Sequence, residues 1–323
     1  MKRRHAVAAL GTALVAVTTP LANAQGGKPL RIVTSFSPGG PVDFVARTLA
    51  DTLGRQLGRP VIVDNKPGAN GALGAMDVLR AEPDGNTLWI TSVGAAAINP
   101  VLQERVAYNT ARDFVPVSLV ANNVEVFVVD RTLPVDDAAA FVQRARAQKQ
   151  PLPIASSGQG SIPHLALVQL EEATGVKFLH VPYKGMSLAL TDLVGGQVQG
   201  VFADVPAVMS QIEGGRLKAL GIAASRRHPS LPQVKTFEEQ GIKAVDTNNW
   251  YALFASAKTP PAVVAELNAA VRKTLADPGV SARLLKSGAE PRSSSPEELA
   301  ALLKADTAKW SALIKSRNIR LDQ

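Results

Sequence analysis

The chain contains 323 residues, 46% of them hydrophobic, and its 35 basic and 27 acidic residues give a formal net charge of +8. This apolar content excludes a disordered chain, and scattered basic residues with only 5% aromatic residues argue against a nucleic-acid groove. The absence of cysteine excludes disulfides, a thiolate nucleophile and cysteine metal ligands. A chain of this length usually forms two domains.

The first 24 residues have the layout of a cleavable secretory signal. A basic run at positions 2–5 precedes an apolar stretch from Ala6 to Val17, and small residues at positions 22–24 precede Gln25. The apolar stretch is too short to span a bilayer comfortably. Because an exported chain without cysteine has neither disulfides nor a site for a lipid anchor, we expect it in a Gram-negative periplasm.

The first strand, loop and helix patterns predict an anion-binding site. Residues Leu30 to Thr34 form a short apolar strand pattern, and apolar residues recur at helical spacing from Val42 to Leu57, where Gly58 ends the helix. The linking run, 35–41, contains two glycines and a proline suited to a first helical turn, so a ligand can approach open backbone N–H groups. The alternative is that this run only turns the chain, with Asp43 capping the helix.

Two further units repeat the order of strand, small-residue loop and helix. Strand patterns cover Val61 to Asp64 and Leu88 to Ser92, and a loop at 65–71 leads into a helix that ends near Leu79. The glycines at 68, 71 and 74 do not match the dinucleotide fingerprint G-x-G-x-x-G, and no Gly-Lys-Ser/Thr phosphate loop occurs. These strands therefore deliver small-residue loops at their carboxyl ends.

A second domain is predicted after the strand pattern from Glu125 to Val129. It contains further strand patterns, at 154–155, 178–181, 199–203 and 219–223. The chain then returns through a strand pattern from Trp250 to Ala255 into a helical region, Pro261 to Arg317. The alternation predicts an α/β protein with mainly parallel sheets, two lobes and a hinge of two crossings. A ligand would lie in the cleft between the lobes, at the carboxyl ends of the strands.

Several polar residues of the second domain have both functional and structural interpretations. Ser156, Ser157 and Ser161 offer donors to a ligand, although serines before a helix are most often N-caps. Tyr183 follows a strand and could reach the cleft or lie in a solvated loop. Asp204 could cap the next helix, contact a ligand or contact the hinge.

The three histidines beyond the predicted signal carry no metal signature. His164, His180 and His228 lack a ligand partner at helical spacing, and we expect each to be structural or exposed. Only His164 lies near the serine loop and is retained as a possible cleft residue. We predict no metal site, no cofactor and no catalytic residue.

Four separated segments resemble the Bug (Bordetella uptake gene) family, the substrate-binding receptors of tripartite tricarboxylate transporters. They are PGGPVDFVAR in the 35–47 segment, NKPGANGALGA at 65–75, VPYKGMSLALTDLVGGQV at 181–198 and NNWYALFASAKTPP at 248–261. The resemblance spans the chain after the signal. It implies a type II periplasmic binding protein fold, in which two α/β lobes joined by a two-crossing hinge close around a carboxylate.

The resemblance also implies a set of ligand-binding residues. In the family, first-lobe loops hold a ligand carboxylate through backbone amides and ordered waters, and second-lobe loops read its other end. The corresponding positions here are Phe36, Ser37, Gly39, Gly40, Asn70, Gly71, Ala72 and Ser92 in the first lobe, and Ser156, Ser157, Gly158, Ser161, Tyr183 and Asp204 in the second. Relatives often have Phe-Asp-Asn-Leu-Pro where this chain has Phe-Ala-Asp-Val-Pro at 202–206. A carboxylate at Asp204 would repel a second ligand carboxylate or accept an ammonium.

We therefore expect a signal at 1–24, lobe I at 25–127 and 247–323, and lobe II at 128–246. The expected function is capture of a small organic carboxylate, of the di- or tricarboxylate, aromatic or amino-acid type, by a monomer in the periplasm. Delivery would be to membrane permease subunits of a tripartite transporter. The alternatives are a ligand-binding sensor or adaptor for a signalling partner, and an exported serine hydrolase on the same fold.

Overall fold

Two β-sheets flanked by helices organise the chain in a computed structural model that describes residues 27–68, 71–103 and 106–320. The predicted signal sequence lies outside the described residues. Within these ranges, no helix combines the length and the apolarity needed to cross a membrane. The α/β fold with two lobe-sized sheets confirms the predicted fold class.

The chain begins and ends in the same sheet. The N-terminal elements are β1 (Leu30–Thr34), α1 (Pro41–Leu57), β2 (Val61–Asn65), α2 (Ala72–Arg80), β3 (Thr87–Ser92), α3 (Asn99–Leu102), α4 (Thr110–Asp113) and β4 (Phe114–Asn123). A π-helical turn, Gly94–Ile98, precedes α3. The middle elements are β5 (Glu125–Asp130), α5 (Ala138–Arg146), β6 (Pro153–Ser156), α6 (Ile162–Thr174), β7 (Leu179–Pro182), α7 (Met186–Val194), β8 (Gly200–Asp204), α8 (Val205–Glu213) and β9 (Leu217–Ile222). The C-terminal elements are β10 (Asn249–Ser256), α9 (Pro261–Ala276), α10 (Pro278–Ser287), β11 (Glu290–Pro291) and α11 (Pro296–Ser316).

The strands divide into two sheets, which we use to name the lobes. Lobe I contains the sheet β11-β4-β10-β3-β1-β2 and lobe II the sheet β7-β6-β8-β5-β9. The expectation of mainly parallel sheets is wrong, because both sheets are mixed. β1, β2 and β3 are parallel, as are β6, β7 and β8, but β10 and β5 run antiparallel to their neighbours. The antiparallel strands β5 and β10 are those through which the chain enters lobe II and returns to lobe I.

Local sequence features explain why β1 and α1 form. The strand residues Leu30, Ile32 and Val33 are fully buried, as expected for a strand covered on both faces. Pro41 occupies the first turn of α1, and Gly58 ends the helix at φ 63°, where its N–H donates to Gly54 O.

The two crossings between the lobes lie side by side. β4 ends at Asn123 and β5 begins at Glu125, so only Val124 separates the sheets on the outward crossing. On the return, Asn249 of β10 pairs in register with Asn123, and Thr247 donates its backbone N–H to Ala223 O of lobe II. These paired segments are the geometric candidate for a hinge, and the predicted lobe boundaries remain a prediction.

Candidate functional site

The loop between β1 and α1 is held by the carboxylate of Asp43. Its oxygens accept hydrogen bonds from Gly39 N–H at 2.9 Å, from Arg47 Nε at 3.0 Å and from Asn65 Nδ2 at 2.8 Å. Burial raises the pKa of Asp43, but these hydrogen bonds outweigh burial and hold the pKa below its usual value. The loop is therefore fixed in shape, and the Gly39 amide is engaged inside the protein.

The other groups of this loop lie at the surface beside the start of α1. Ser37 and Gly39 are exposed, Phe36 and Gly40 are half-buried, and the Gly40 N–H donates to Ser37 O at 3.3 Å. Pro41 supplies no N–H. The following amides of the first helical turn have no partner within the helix, and the helix dipole favours a negative charge there. The groups left for the predicted anion-binding site are therefore the amides of the first turn of α1 and the exposed residue Ser37.

The second loop is tied to the first through Ser35, a residue that the sequence analysis did not select. Ser35 Oγ donates to Gly71 O at 2.9 Å and accepts from Trp89 Nε1 at 2.7 Å. A Cβ at Gly74 would lie 2.5 Å from Ser35 Oγ, and one at Gly71 would lie 2.5 Å from Ala95 Cβ. The glycine spacing of this loop therefore serves close packing of α2 on the end of β1.

The first-lobe candidates gather at one edge of the sheet. β1 is parallel to both β2 and β3, so the loops that follow these three strands leave the sheet at the same edge. Gly71 is the N-cap residue of α2, Ala72 is its first residue, and Ser92 ends β3. All three are buried, with Ser92 8% exposed. Asn70 lies outside the described residues.

The loop between β6 and α6 carries the serine candidates of lobe II. Ser156 is fully buried, whereas Ser157, Gly158 and Ser161 are half-buried. Ser161 is the N-cap residue of α6, but its Oγ donates back to Gly158 O at 2.7 Å and makes no cap to the helix. The N-cap interpretation of this serine is therefore wrong for its side chain. The same hydrogen bond closes the loop on itself.

The loop between β6 and α6 contacts lobe I directly. A Cβ at Gly160 would lie 2.2 Å from Leu102 Cδ1, and Ile162 and Leu165 of α6 belong to the same apolar cluster as Leu102. The serine loop therefore lies at the contact between the lobes.

Tyr183 contacts a carboxylate of its own lobe. Its hydroxyl donates to Asp192 Oδ2 at 2.7 Å, and this hydrogen bond, with burial and the charge of Asp192, raises the pKa of Tyr183 to about 12. The phenol is therefore neutral at physiological pH and has its proton directed at Asp192.

Asp204 belongs to the crossing segments. Its two oxygens accept hydrogen bonds from Asn249 Nδ2 at 2.7 Å and from Tyr251 Oη at 2.6 Å, both donors on β10 of lobe I. Its side chain makes no cap to α8, although Asp204 is the N-cap residue. The observed contacts of Asp204 are with β10, one of the two crossing segments that form the candidate hinge.

Glu125 lies opposite Asp204 in the sheet register and forms a carboxyl pair with it. Glu125 is 1% exposed, and its Oε2 has no hydrogen-bond partner among the described residues. Burial and the neighbouring Asp204 raise the pKa of Glu125 well above its usual value. Burial also raises the pKa of Asp204, but hydrogen bonds from Tyr251 and Asn249 oppose that rise. Glu125 therefore holds the proton of the pair.

Sequence reasoning missed four residues that hold the candidate residues in place. Ser35 and Trp89 join the first two loops, His180 contacts Ser156, and Glu125 pairs with Asp204. A glutamate within an apolar strand pattern is a signal that could have drawn attention to Glu125. The other three form contacts between distant segments that no local pattern encodes.

Comparison with known proteins gives a consistent result. Residues 45–319 match the model of the "Tripartite tricarboxylate transporter family receptor". The protein BugT of Bordetella pertussis is 30% identical over 323 residues, which cover 99% of both chains.

Two similar solved structures hold a ligand. The MatC structure from Rhodopseudomonas palustris with bound malate is 32% identical and has a TM-score of 0.79, covering 88% of this chain and 98% of MatC. The R. palustris protein Rpa4515 with adipate is 30% identical and has a TM-score of 0.85, covering 91% of this chain and 98% of Rpa4515. Because the family model matches residues 45–319 and these relatives share the two-lobed fold, the chain belongs to the tripartite tricarboxylate transporter receptor family, of which the Bug proteins are members.

Proposed function

We propose that this protein captures a small organic carboxylate in the periplasm and delivers it to the membrane subunits of a tripartite transporter. The observation that carries the proposal is that two relatives, each at least 30% identical over nearly their whole length, hold the dicarboxylates malate and adipate. We further infer that residues 1–24 are removed and that the mature chain acts as a monomer. The ligand class includes di- and tricarboxylates, aromatic carboxylates and amino acids.

The chemistry of the loops is sufficient for such binding. A charge-assisted hydrogen bond contributes about 1.5 to 3 kcal/mol, and a helix dipole roughly 0.3 to 2 kcal/mol. Micromolar affinity needs about 8 kcal/mol after the costs of ordering, so three or four donors with lobe closure suffice. The first turn of α1 and the exposed Ser37 supply such donors without a buried arginine.

We propose a ligand site made of the loops that follow β1, β2 and β3 in lobe I and β6 and β7 in lobe II. Its residues are Phe36, Ser37, Gly39, Gly40, Asn70, Gly71, Ala72, Ser92, Ser156, Ser157, Gly158, Ser161 and Tyr183. Asp204 acts at the hinge, because both of its oxygens already accept hydrogen bonds from β10.

Calorimetry and thermal unfolding of the mature protein test the proposal. The protein is unfolded in denaturant, dialysed to remove co-purified ligand and refolded, and then mixed with malate, adipate, citrate, benzoate and glutamate. The diol and diamide analogues of adipate are the controls that lack carboxylates. We expect at least one carboxylate to bind with micromolar affinity and raise the melting temperature. Neither control should bind or change the melting temperature. Absence of binding by every carboxylate would contradict the proposal.

A substitution at Gly40 tests the position of the site. Gly40 has φ −76°, which any residue adopts, and a Cβ there would meet only Ser37 O, at 3.3 Å. We expect Gly40→Val to keep the fold with a small shift at Ser37 and to fill the approach to α1. Binding should weaken at least tenfold, about 1.4 kcal/mol. Gly214→Val is the matched control, since Gly214 has φ −74° and a Cβ contact to Ser210 O at 3.0 Å at the far end of α8. Equal affinity of the two variants would show that α1 is not part of the site.

The exported-hydrolase alternative gains no support from the serine next to a histidine. Ser156 Oγ lies 2.7 Å from His180 Nε2, but Ser156 is fully buried and also accepts the Gly158 N–H. The nearby Glu171 carboxylate accepts from Lys177 and from the backbone of Phe178. The Ser156 hydroxyl is therefore held in contacts around its own loop, and the Glu171 carboxylate is directed at Lys177 and Phe178 rather than at His180. Recovery of the unchanged ligand after long incubation is the expected result.

The sensor alternative is separated from transport by a cellular measurement. Deletion of the gene should abolish uptake of the radiolabelled carboxylate identified by calorimetry, and the wild-type gene should restore it. Normal uptake with an altered transcriptional response would favour the sensor.

A further inference from the structure

The loop between β6 and α6 has an irregular backbone whose shape depends on contacts with side chains of other elements. Gly158 has φ 141° and Gly160 has φ 71°, conformations that L residues rarely adopt, and the loop touches Leu102 of lobe I. Irregular backbone at such a contact keeps its shape only if its amides have fixed acceptors.

Two histidines from different elements lie stacked beside this loop. The rings of His164, on α6, and His180, on β7, are 3.9 Å apart between centroids and inclined by only 5°. His164 is 7% exposed and His180 is half-buried. The stack joins the helix that begins at the loop to the strand beside it.

Each histidine is connected to one glycine of the loop. His164 Nδ1 accepts the Gly160 N–H at 2.9 Å. His180 Nε2 shares a hydrogen bond of 2.7 Å with Ser156 Oγ, which in turn accepts the Gly158 N–H at 3.1 Å. Ser156 Oγ also lies 3.0 Å from Gly158 O. His164 therefore holds the Gly160 amide directly, and His180 acts on the Gly158 segment through the Ser156 hydroxyl.

The charge state of the stack is set by burial. Burial, with the charge of His180 adding to it, lowers the pKa of His164 to about 3. Burial also lowers the pKa of His180, although Glu171 opposes the change. Since Nδ1 of His164 accepts a hydrogen bond, the ring proton is on Nε2, and a second proton at Nδ1 would face the Gly160 N–H and break that contact.

We propose that His164 and His180 are positioning residues for ligand binding, which orient the Gly158 and Gly160 region of the second-lobe loop through acceptors at Nδ1 and Ser156 Oγ. This inference rests on the proposed function, because the loop is part of the proposed carboxylate site. Neither histidine is required to touch the ligand. A neutral acceptor of similar reach should therefore replace either ring better than an apolar side chain of similar size.

Substitution in matched pairs tests the proposal. His164→Asn keeps an acceptor near Nδ1 and His164→Leu removes it; His180→Gln and His180→Leu form the corresponding pair at Nε2. We expect each leucine variant to bind carboxylate about tenfold more weakly, equivalent to about 1.4 kcal/mol. We expect the carboxylate affinity of the amide variants to stay within about threefold of wild type, because their side chains keep a hydrogen-bond acceptor.

His228→Leu is the control for a purely structural role. His228 is 3% exposed, and its Nδ1 accepts the Ser230 N–H at 3.1 Å, so the substitution removes the same kind of contact outside the loop. We expect a lowered melting temperature with unchanged affinity. If His164→Leu and His180→Leu also lower only the melting temperature, the positioning role is wrong.

Nuclear magnetic resonance of the wild-type protein provides a readout that does not depend on folding of the variants. We expect slow exchange of the Gly160 amide and no titration of His164 between pH 8 and pH 5. Titration of His164 in that range or a rapidly exchanging Gly160 amide would overturn the proposal. If the wild-type protein binds no carboxylate, the proposed function and this role fail together. Normal binding by wild type and all four variants overturns the positioning role alone.

Discussion

The buried carboxyl pair at the crossing between the lobes predicts an unusual dependence of stability on pH. Glu125 is 1% exposed and faces Asp204, which is held by Tyr251 and Asn249, and no cation faces either carboxyl among the described residues. Two adjacent buried carboxylates cannot both ionise, so the pair keeps one proton on Glu125. Glu125→Gln replaces that acid by a neutral group of the same shape whose amide can donate to Asp204.

The size of the effect follows from proton linkage. The folded protein retains the Glu125 proton at pH values where the unfolded chain, with an ordinary glutamate, has lost it, so the folded state is favoured at low pH. Each pH unit between the ordinary and the raised pKa then removes about 1.4 kcal/mol of the free energy of unfolding. This contribution is fully present below the ordinary pKa of 4.5 and is lost as the pH rises toward the raised pKa. Glu125→Gln lacks this ionisable group. Its free energy of unfolding, relative to that of wild type, should therefore increase by about 1.4 kcal/mol for each pH unit in this range.

Urea unfolding at intervals from pH 5 to pH 9 measures the prediction. We expect the difference between Glu125→Gln and wild type to change steadily in favour of the variant as pH rises. Glu266→Gln, a substitution at an exposed glutamate of α9, should follow wild type in parallel. Parallel curves for wild type and Glu125→Gln would show that Glu125 is ionised in the folded protein and refute the reasoning.

Two further substitutions test how local packing supports the site. Gly74→Ala places a Cβ 2.5 Å from Ser35 Oγ and 3.1 Å from Ser35 Cα, so we expect a loss of about 1 to 3 kcal/mol in unfolding experiments and weaker carboxylate binding. A fully stable Gly74→Ala would show that α2 can move away from β1. Ser295→Ala removes the capping box that Ser295 forms with Glu298 at the start of α11, and should cost about 0.5 to 2 kcal/mol in the same assay without changing affinity. A loss of affinity in Ser295→Ala would show that the start of α11 contributes to ligand binding.

Elements with strong local signals were predicted well from the sequence. The strand Leu30–Thr34 and the helix Ile162–Thr174 have the bounds expected within about two residues, because buried runs and capping glycines are local features. The strand β4, Phe114–Asn123, was missed. It contains Pro116, a residue that argues against a central strand, and it is accommodated where the register with β10 shifts between Leu253 and Phe254. The bulge depends on the partner strand, so the sequence of β4 alone does not show it.

The family, the two-lobed α/β fold and the small-residue loops at the strand ends follow from the sequence alone, since periodicity, glycine and proline positions and extended motifs are written along the chain. Only the tertiary structure decided how the polar groups are paired. It assigned Asp43 to the Gly39 amide, Asp204 to β10 and Glu125, and His164 to Gly160. These pairs determine which donors remain for a ligand and which groups hold a proton. The partners of Asp204 come from distant segments brought together by the sheets and the crossings, whereas the contacts of Asp43 and His164 depend on the folded shape of a neighbouring loop. Neither kind of contact leaves a periodic signal in the sequence.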